Sequence, residues 1–186
     1  MANKNYNYTN RILAAITFFI SFAVYYDTMA PTVSYWDCGE FIAVSHTLGV
    51  PHPPGSPLYL LLGRIASMLP IGEDIAFRVN LLSPIVSAFS VLFLYLIIVQ
   101  MVNHWRGKIS STTDALIVFG SGIIGSLTFA FTDSHWFNAV EAEVYAFSTF
   151  FTAIVVWLIL IWNEKADEKG NERYILLIAY MIGLAT

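Results

Sequence analysis

The chain has 186 residues, of which 57% are hydrophobic, 16% aromatic and 12% charged, about half the charged fraction of a soluble domain. Nine Lys+Arg against 13 Asp+Glu, with a single cysteine, exclude a nucleic-acid binder and a disulfide scaffold, and the apolar content excludes a disordered chain. At a mean hydropathy of +0.65, the solvent for most of the chain is lipid.

Charge gaps mark the elements in chain order. Fifteen uncharged residues separate Arg11 from Asp27, 27 separate Arg78 from Arg106, 18 separate Asp114 from Asp133 and 20 separate Glu143 from Glu164. A helix crosses a bilayer in about 20 apolar residues. Spans are therefore expected at about 10–30, 80–102, 114–132 and 143–163, with an incomplete fifth at 174–186. The last ends in Gly183-Leu184-Ala185-Thr186 without a cap or a basic stop, so the natural chain is expected to continue past Thr186. The first reads as an uncleaved anchor, since Asp27-Thr28-Met29-Ala30-Pro31 lacks small residues at cleavage spacing.

The uncharged run from Phe41 to Gly63 is long enough to cross, yet it holds Pro51, Pro53, Pro54 and Pro57. Each proline removes an N–H and clashes with the preceding turn. Residues 31–79 are therefore expected to form a long outer loop with short interfacial helices, one of them over Leu58 to Leu69. The fold class is all-α, a polytopic transmembrane helix bundle. With the N-terminus cytoplasmic, Lys4, Arg11, Arg106, Lys108, Lys165, Lys169 and Arg173 lie inside and only Arg64 and Arg78 outside, a clear positive-inside bias.

The acidic residues at the outer ends, among them Asp27, Glu73 and Asp74, include three groupings set in apolar sequence. Asp37 and Glu40 are three apart and share a face on a helical turn. One suits a general base and the other an orienting partner or metal ligand; a capping-box arrangement, with Asp37 as cap and Glu40 at its third position, accounts for the spacing equally well. His52 lies in the stiff turn Pro51-His52-Pro53-Pro54-Gly55-Ser56-Pro57. In the run from Asp133 to Tyr145, Glu141 and Glu143 are two apart. They would point apart on a regular helix and meet only in a loop or an irregular first turn. Arg64 and Arg78 suit either lipid phosphates or the phosphate of a lipid-linked substrate.

In the order of these features the chain resembles the N-terminal part of membrane glycosyltransferases of the GT-C fold. More narrowly, Trp36-Asp37-Cys38-Gly39-Glu40-Phe41, the run from Gly49 through His52 to Tyr59, and Val140-Glu141-Ala142-Glu143-Val144-Tyr145 resemble a largely bacterial family long without a known function. That family is related to an animal transmembrane protein O-mannosyltransferase.

The resemblance implies that residues 1–186 are the N-terminal part of a GT-C-like transferase domain. It implies a multi-pass protein, in a bacterial inner membrane, that works on the periplasmic face. A sugar, mannose by analogy, would pass from a polyprenyl-phosphate-linked donor to a protein or glycan acceptor. Asp37 and Glu40 are then the expected catalytic residues. His52, Arg64, Arg78, Asp133, Glu141, Glu143 and Tyr145 are the expected substrate-binding residues. Glu141 and Glu143 match the spacing of an acidic pair that holds a divalent metal or phosphate in some relatives, with glutamates in place of aspartates, so the metal question stays open. Two other readings compete: a transporter or flippase-like protein, and a non-catalytic membrane assembly subunit.

Overall fold

The computed structural model describes residues 4–72, 74–107 and 109–185, without the side chains of residues 4 and 5. Glu73, Lys108 and Thr186 lie outside the described residues. Among the described residues the chain is helical, with no strand. The helices are α1 (Lys4–Thr28), α2 (Cys38–Thr47), α3 (Pro57–Ser67), α4 (Ile75–Asn80), α5 (Leu82–Arg106), α6 (Thr112–Ala130), α7 (Asp133–Ala139), α8 (Tyr145–Lys165) and α9 (Glu172–Leu184).

Among the described residues four stretches are long and apolar enough to cross a membrane: Tyr6–Thr28, Ile75–Arg106, Thr112–Ala130 and Tyr145–Lys165. The second is longer than expected because α4 leads into α5 with only Leu81 between them. The prolines at 51, 53 and 54 fall between α2 and α3, and Pro57 opens α3, where a missing N–H costs nothing.

Helix α5 packs against α1, α6 and α8. On α1 the buried residues Ala14, Thr17, Ser21 and Tyr25 recur every three or four positions and form one stripe. Ile12, Ile16, Phe19 and Ile20 are exposed, as a lipid-facing surface requires. Gly122 lets α6 approach α5 closely, since a Cβ there would lie 2.6 Å from Val99 and 2.8 Å from the Tyr95 ring. At the far end of this pair Asp114 completes a capping box with Ser111 and receives Arg106 at 3.0 Å.

The opposite end gathers the short helices. The Tyr25 hydroxyl donates to the Ala130 carbonyl at 2.8 Å, joining the ends of α1 and α6. The Trp136 indole N–H donates to Thr28 Oγ1 at 3.0 Å. The Ala30 N–H donates to the Val140 carbonyl at 2.8 Å. Asn80, fully buried, donates to the carbonyls of Ala30 and Thr32 at 2.8 and 2.9 Å. These bonds hold residues 30–34 between α4 and the segment after α7.

Helices α2 and α3 form a hairpin whose close approach depends on Gly63. A Cβ at Gly63 would lie 2.4 Å from Ser45 Oγ and 2.8 Å from Ser45 Cβ. Rotating the hydroxyl relieves only the first contact. Gly63→Ala is expected to destabilise the protein by about 1–3 kcal/mol, read as a lower melting temperature of detergent-purified full-length protein. An unchanged melting temperature would mean that the hairpin is looser than described.

Candidate active site

Asp37 occupies the cap position of α2, but its side chain makes no capping hydrogen bond. The capping-box explanation for Asp37 and Glu40 therefore gives way. Glu40 turns instead to His52, accepting from the His52 backbone N–H at 2.8 Å and lying 2.7 Å from Nδ1. Both carboxylate oxygens are engaged, which ties the proline-rich turn to α2. Asp37, Glu40 and His52 offer ligand atoms that all lie within 4.8 Å of one another.

The second half of the site comes from the segment between α7 and α8. The Glu143 N–H donates to the Glu141 carbonyl at 2.9 Å, a tight turn outside any regular helix. This irregular backbone brings together two glutamates that a helix would separate. A cleft of about 260 Å³ is lined by Trp36, Asp37, Phe137, Asn138, Glu141, Glu143 and Tyr145. Carboxylates more than a hundred residues apart thus share one cleft.

Glu141 and Glu143 are only 4% and 6% exposed, a cost that each offsets by hydrogen bonding. The Ser34 hydroxyl donates to Glu141 Oε2 at 2.5 Å. The Cys38 thiol lies 3.8 Å from Glu143 Oε1. Burial pushes the Cys38 thiol up to about 12, with Glu141 and Glu143 adding to the effect, so the thiol is no nucleophile. Burial likewise holds the Glu143 carboxyl above the usual range, reinforced by the charges of Asp37 and Glu141.

The Glu40–His52 pair responds to pH from both sides. The hydrogen bond to His52 depresses Glu40, so its contribution is present above the ordinary glutamate value and fades as pH falls through the depressed one. The bond to Glu40 raises His52, so its contribution is present below the ordinary histidine value and fades as pH rises through the raised one. Amide exchange at His52, corrected for intrinsic rate, is expected to be slowest between the two ordinary values and to lose that minimum in Glu40→Gln. A minimum that persists in the variant would contradict the pairing.

Asp133, Arg64 and Arg78 are not among the residues lining the cleft. Asp133 is exposed in the first turn of α7, where the helix dipole favours it. Arg64 donates to the His46 carbonyl at the end of α2. Arg78 donates to the carbonyls of Ser67, Ile71 and Gly72 at 3.1, 2.8 and 2.9 Å. It thereby satisfies groups that the end of α3 leaves unpaired. These bonds give both arginines structural work in the loop.

Ser34, Tyr59 and His135 carried no sequence signal of their own, and none of the three lines the cleft. Ser34 is an ordinary loop serine until residues 30–34 are laid beside Val140. Tyr59, buried on α3, has a hydroxyl with no hydrogen-bond partner among the described residues and is raised by burial and then by the Glu143 charge. His135 on α7 is buried, with its ring 4.3 Å from that of Phe129. Burial pulls His135 down to about 4, which keeps it neutral near pH 7.

The family described as "Protein O-mannosyl-transferase TMEM260 N-terminal domain" matches residues 37–186. The chain belongs to this family. The match begins at Asp37 and takes in every cleft-lining residue except Trp36. Among curated relatives, the chain is 30% identical over 167 residues to "Protein O-mannosyl-transferase tmem260" of Dictyostelium discoideum, covering 88% of this chain and 18% of the relative. It is 27% identical over 164 residues to "Protein O-mannosyl-transferase TMEM260" of Mus musculus, covering 88% of this chain and 21% of the relative. The chain thus spans about a fifth of the length of these relatives. No solved structure matches it. Family membership and four apolar helices make this an integral membrane protein of the all-α polytopic class.

As for a metal, Glu141 and Glu143 each have one oxygen engaged, by Ser34 and Cys38. Their other oxygens are hard donors, but among the described residues the group of three whose ligand atoms come within 4.8 Å of one another is Asp37, Glu40 and His52. The Asp37, Glu40 and His52 group has a mixed oxygen and nitrogen donor set, which suits a transition metal, although Glu40 would have to release His52.

Proposed function

We propose that this chain is the N-terminal part of a membrane glycosyltransferase. It would pass a sugar, mannose by analogy with the relatives' names, from a polyprenyl-phosphate-linked donor to a hydroxyl of a protein acceptor. The reaction would run on the non-cytoplasmic face of a bacterial inner membrane, with the N-terminus in the cytoplasm. The observation that carries this reading is the convergence of Asp37 with Glu141 and Glu143 in one cleft at one end of the bundle.

The chemistry suits these groups. The acceptor oxygen bonds the anomeric carbon as the bond from that carbon to the donor phosphate breaks. The acceptor proton passes to the Asp37 carboxylate, and the polyprenyl phosphate departs with the bonding electron pair. Positive charge builds on the sugar ring during this exchange, and the buried Glu141 carboxylate stabilises it from a fixed position. Glu40 and His52 hold the proline-rich turn beside Asp37. A divalent ion, if the full-length enzyme uses one, would neutralise charge on the leaving phosphate and be held by the carboxylates named above.

An apolar groove of about 230 Å³ adjoins the cleft, lined by residues including Tyr59, Phe147, Phe151 and Leu184 and sharing Tyr145 with it. It supports a donor whose carrier stays in lipid. A transporter reading has less behind it, since transporters place their sites near mid-membrane and these carboxylates lie in connections at one end.

Mass spectrometry of envelope glycoproteins from cells with and without the full-length protein tests the proposal. Loss of a hexose from defined peptides is expected on deletion, and unchanged glycans would contradict it.

A further inference from the structure

The rim of the cleft is aromatic. Trp36 is 84% exposed, Phe137 55% and Tyr145 60%, and all three line it. Large aromatic faces left in contact with water are unfavourable unless something covers them. Trp36 also has a φ of 60°, a left-handed conformation rare for a bulky residue and tied to function when it recurs at a site. Its neighbour Tyr35 is equally exposed, at 85%, but is not part of the lining and suits the lipid headgroup belt instead.

The same lining carries hydrogen-bond acceptors. Asn138 donates through Nδ2 to the Ser134 carbonyl at 2.7 Å, which leaves its amide oxygen to accept. Asp37, also in the lining, is exposed. Neither lysine nor arginine lines the cleft, so an anionic ligand meets no counter-charge there. At about 260 Å³ the space lies just below the usual range of ligand pockets, on the scale of one sugar ring. A pyranose presents C–H groups on its faces and hydroxyl donors at its edges, matching aromatic walls and carboxylate and amide acceptors.

We infer that Trp36, Phe137 and Tyr145 form a stacking rim for a single neutral pyranose ring, whose hydroxyls are held by Asn138 and Asp37. This rests on the glycosyltransferase reading and adds to it the residues that select a sugar. The lining contains the acceptors that the ring needs, so recognition is independent of any metal.

The test is saturation-transfer NMR of methyl α-D-mannopyranoside with full-length protein in lipid nanodiscs, in the presence of EDTA. Wild-type protein and Trp36→Phe are expected to saturate the ring protons. Trp36→Ala and Phe137→Ala are each expected to weaken binding about three- to tenfold, the range of one aromatic contact. Unchanged binding in Trp36→Ala would overturn the inference. So would competition by tetramethylammonium as effective as by the sugar, which would make the rim a cation site. A Trp36 emission, taken as the difference from Trp36→Phe, that is quenched by brominated lipid and untouched by sugar would assign the ring to the bilayer and also overturn it. Glycosyl transfer without stacking on Trp36 removes the rim and leaves the enzymatic reading. Stacking without transfer upholds the rim and removes that reading.

Discussion

Asp37→Asn in the full-length protein is expected to lower glycosyl transfer by about 10²–10⁴-fold, the usual contribution of a positioned base, while membrane insertion and melting temperature stay unchanged. The side chain caps nothing and is exposed, so no packing is lost when its charge is removed. The replacement amide cannot take the acceptor proton. Activity is read as transfer to an acceptor peptide, and kcat should carry the loss because the base acts only as the proton moves. Full activity in this variant would remove Asp37 from the chemistry and return it to the helix start.

Glu141→Gln is expected to lower kcat by about 10²–10³-fold, the cost of losing one preorganised charge from an enclosed site. The glutamine still accepts from the Ser34 hydroxyl, so the geometry set by that 2.5 Å contact survives and only the charge disappears. A variant that loses activity only by unfolding would contradict an electrostatic role, and the melting temperature separates the two outcomes. Glu143 behaves differently. Burial favours its protonated form, so the folded state keeps that proton to higher pH than the unfolded chain does, and stability falls as pH rises through this window. Glu143→Gln removes the fall, visible as a flatter melting temperature against pH.

The membrane helices were legible because lipid enforces a simple rule on charge. The gaps after Arg11, Arg78, Asp114 and Glu143 coincide with α1, α5, α6 and α8, with ends that differ by a few residues. The break before α3 was equally legible, because four prolines between 51 and 57 cannot propagate a helix. The two glutamates after α7 could be read only conditionally. Spacing said that they meet in a loop or not at all, and the Glu143-to-Glu141 backbone turn decided it.

Long-range register was not legible. Nothing local to Ser34 indicates Glu141, because their meeting follows from the Ala30–Val140 bond and from Asn80. The arginines show the opposite difficulty. Arg78 has the chemistry of a phosphate ligand, and only coordinates reveal that the end of α3 exposes carbonyls within its reach. Trp36 stands in the sequence only as part of the motif around Asp37, and its place in the cleft lining follows from the fold.

The most direct test asks whether the two carboxylate-bearing segments are neighbours. Asp37 and Tyr145 are exposed and both line the cleft. In full-length protein freed of its native cysteines, Asp37→Cys with Tyr145→Cys creates one intramolecular pair. A protease site placed in the connection between α5 and α6 then separates residue 37 from residue 145. After treatment with a short bis-methanethiosulfonate and cleavage, the fragments are expected to stay joined on a non-reducing gel and to part on reduction. Fragments that separate without reductant, while a thiol-reactive label shows both cysteines accessible, would mean that the segments do not meet and that no shared cleft exists.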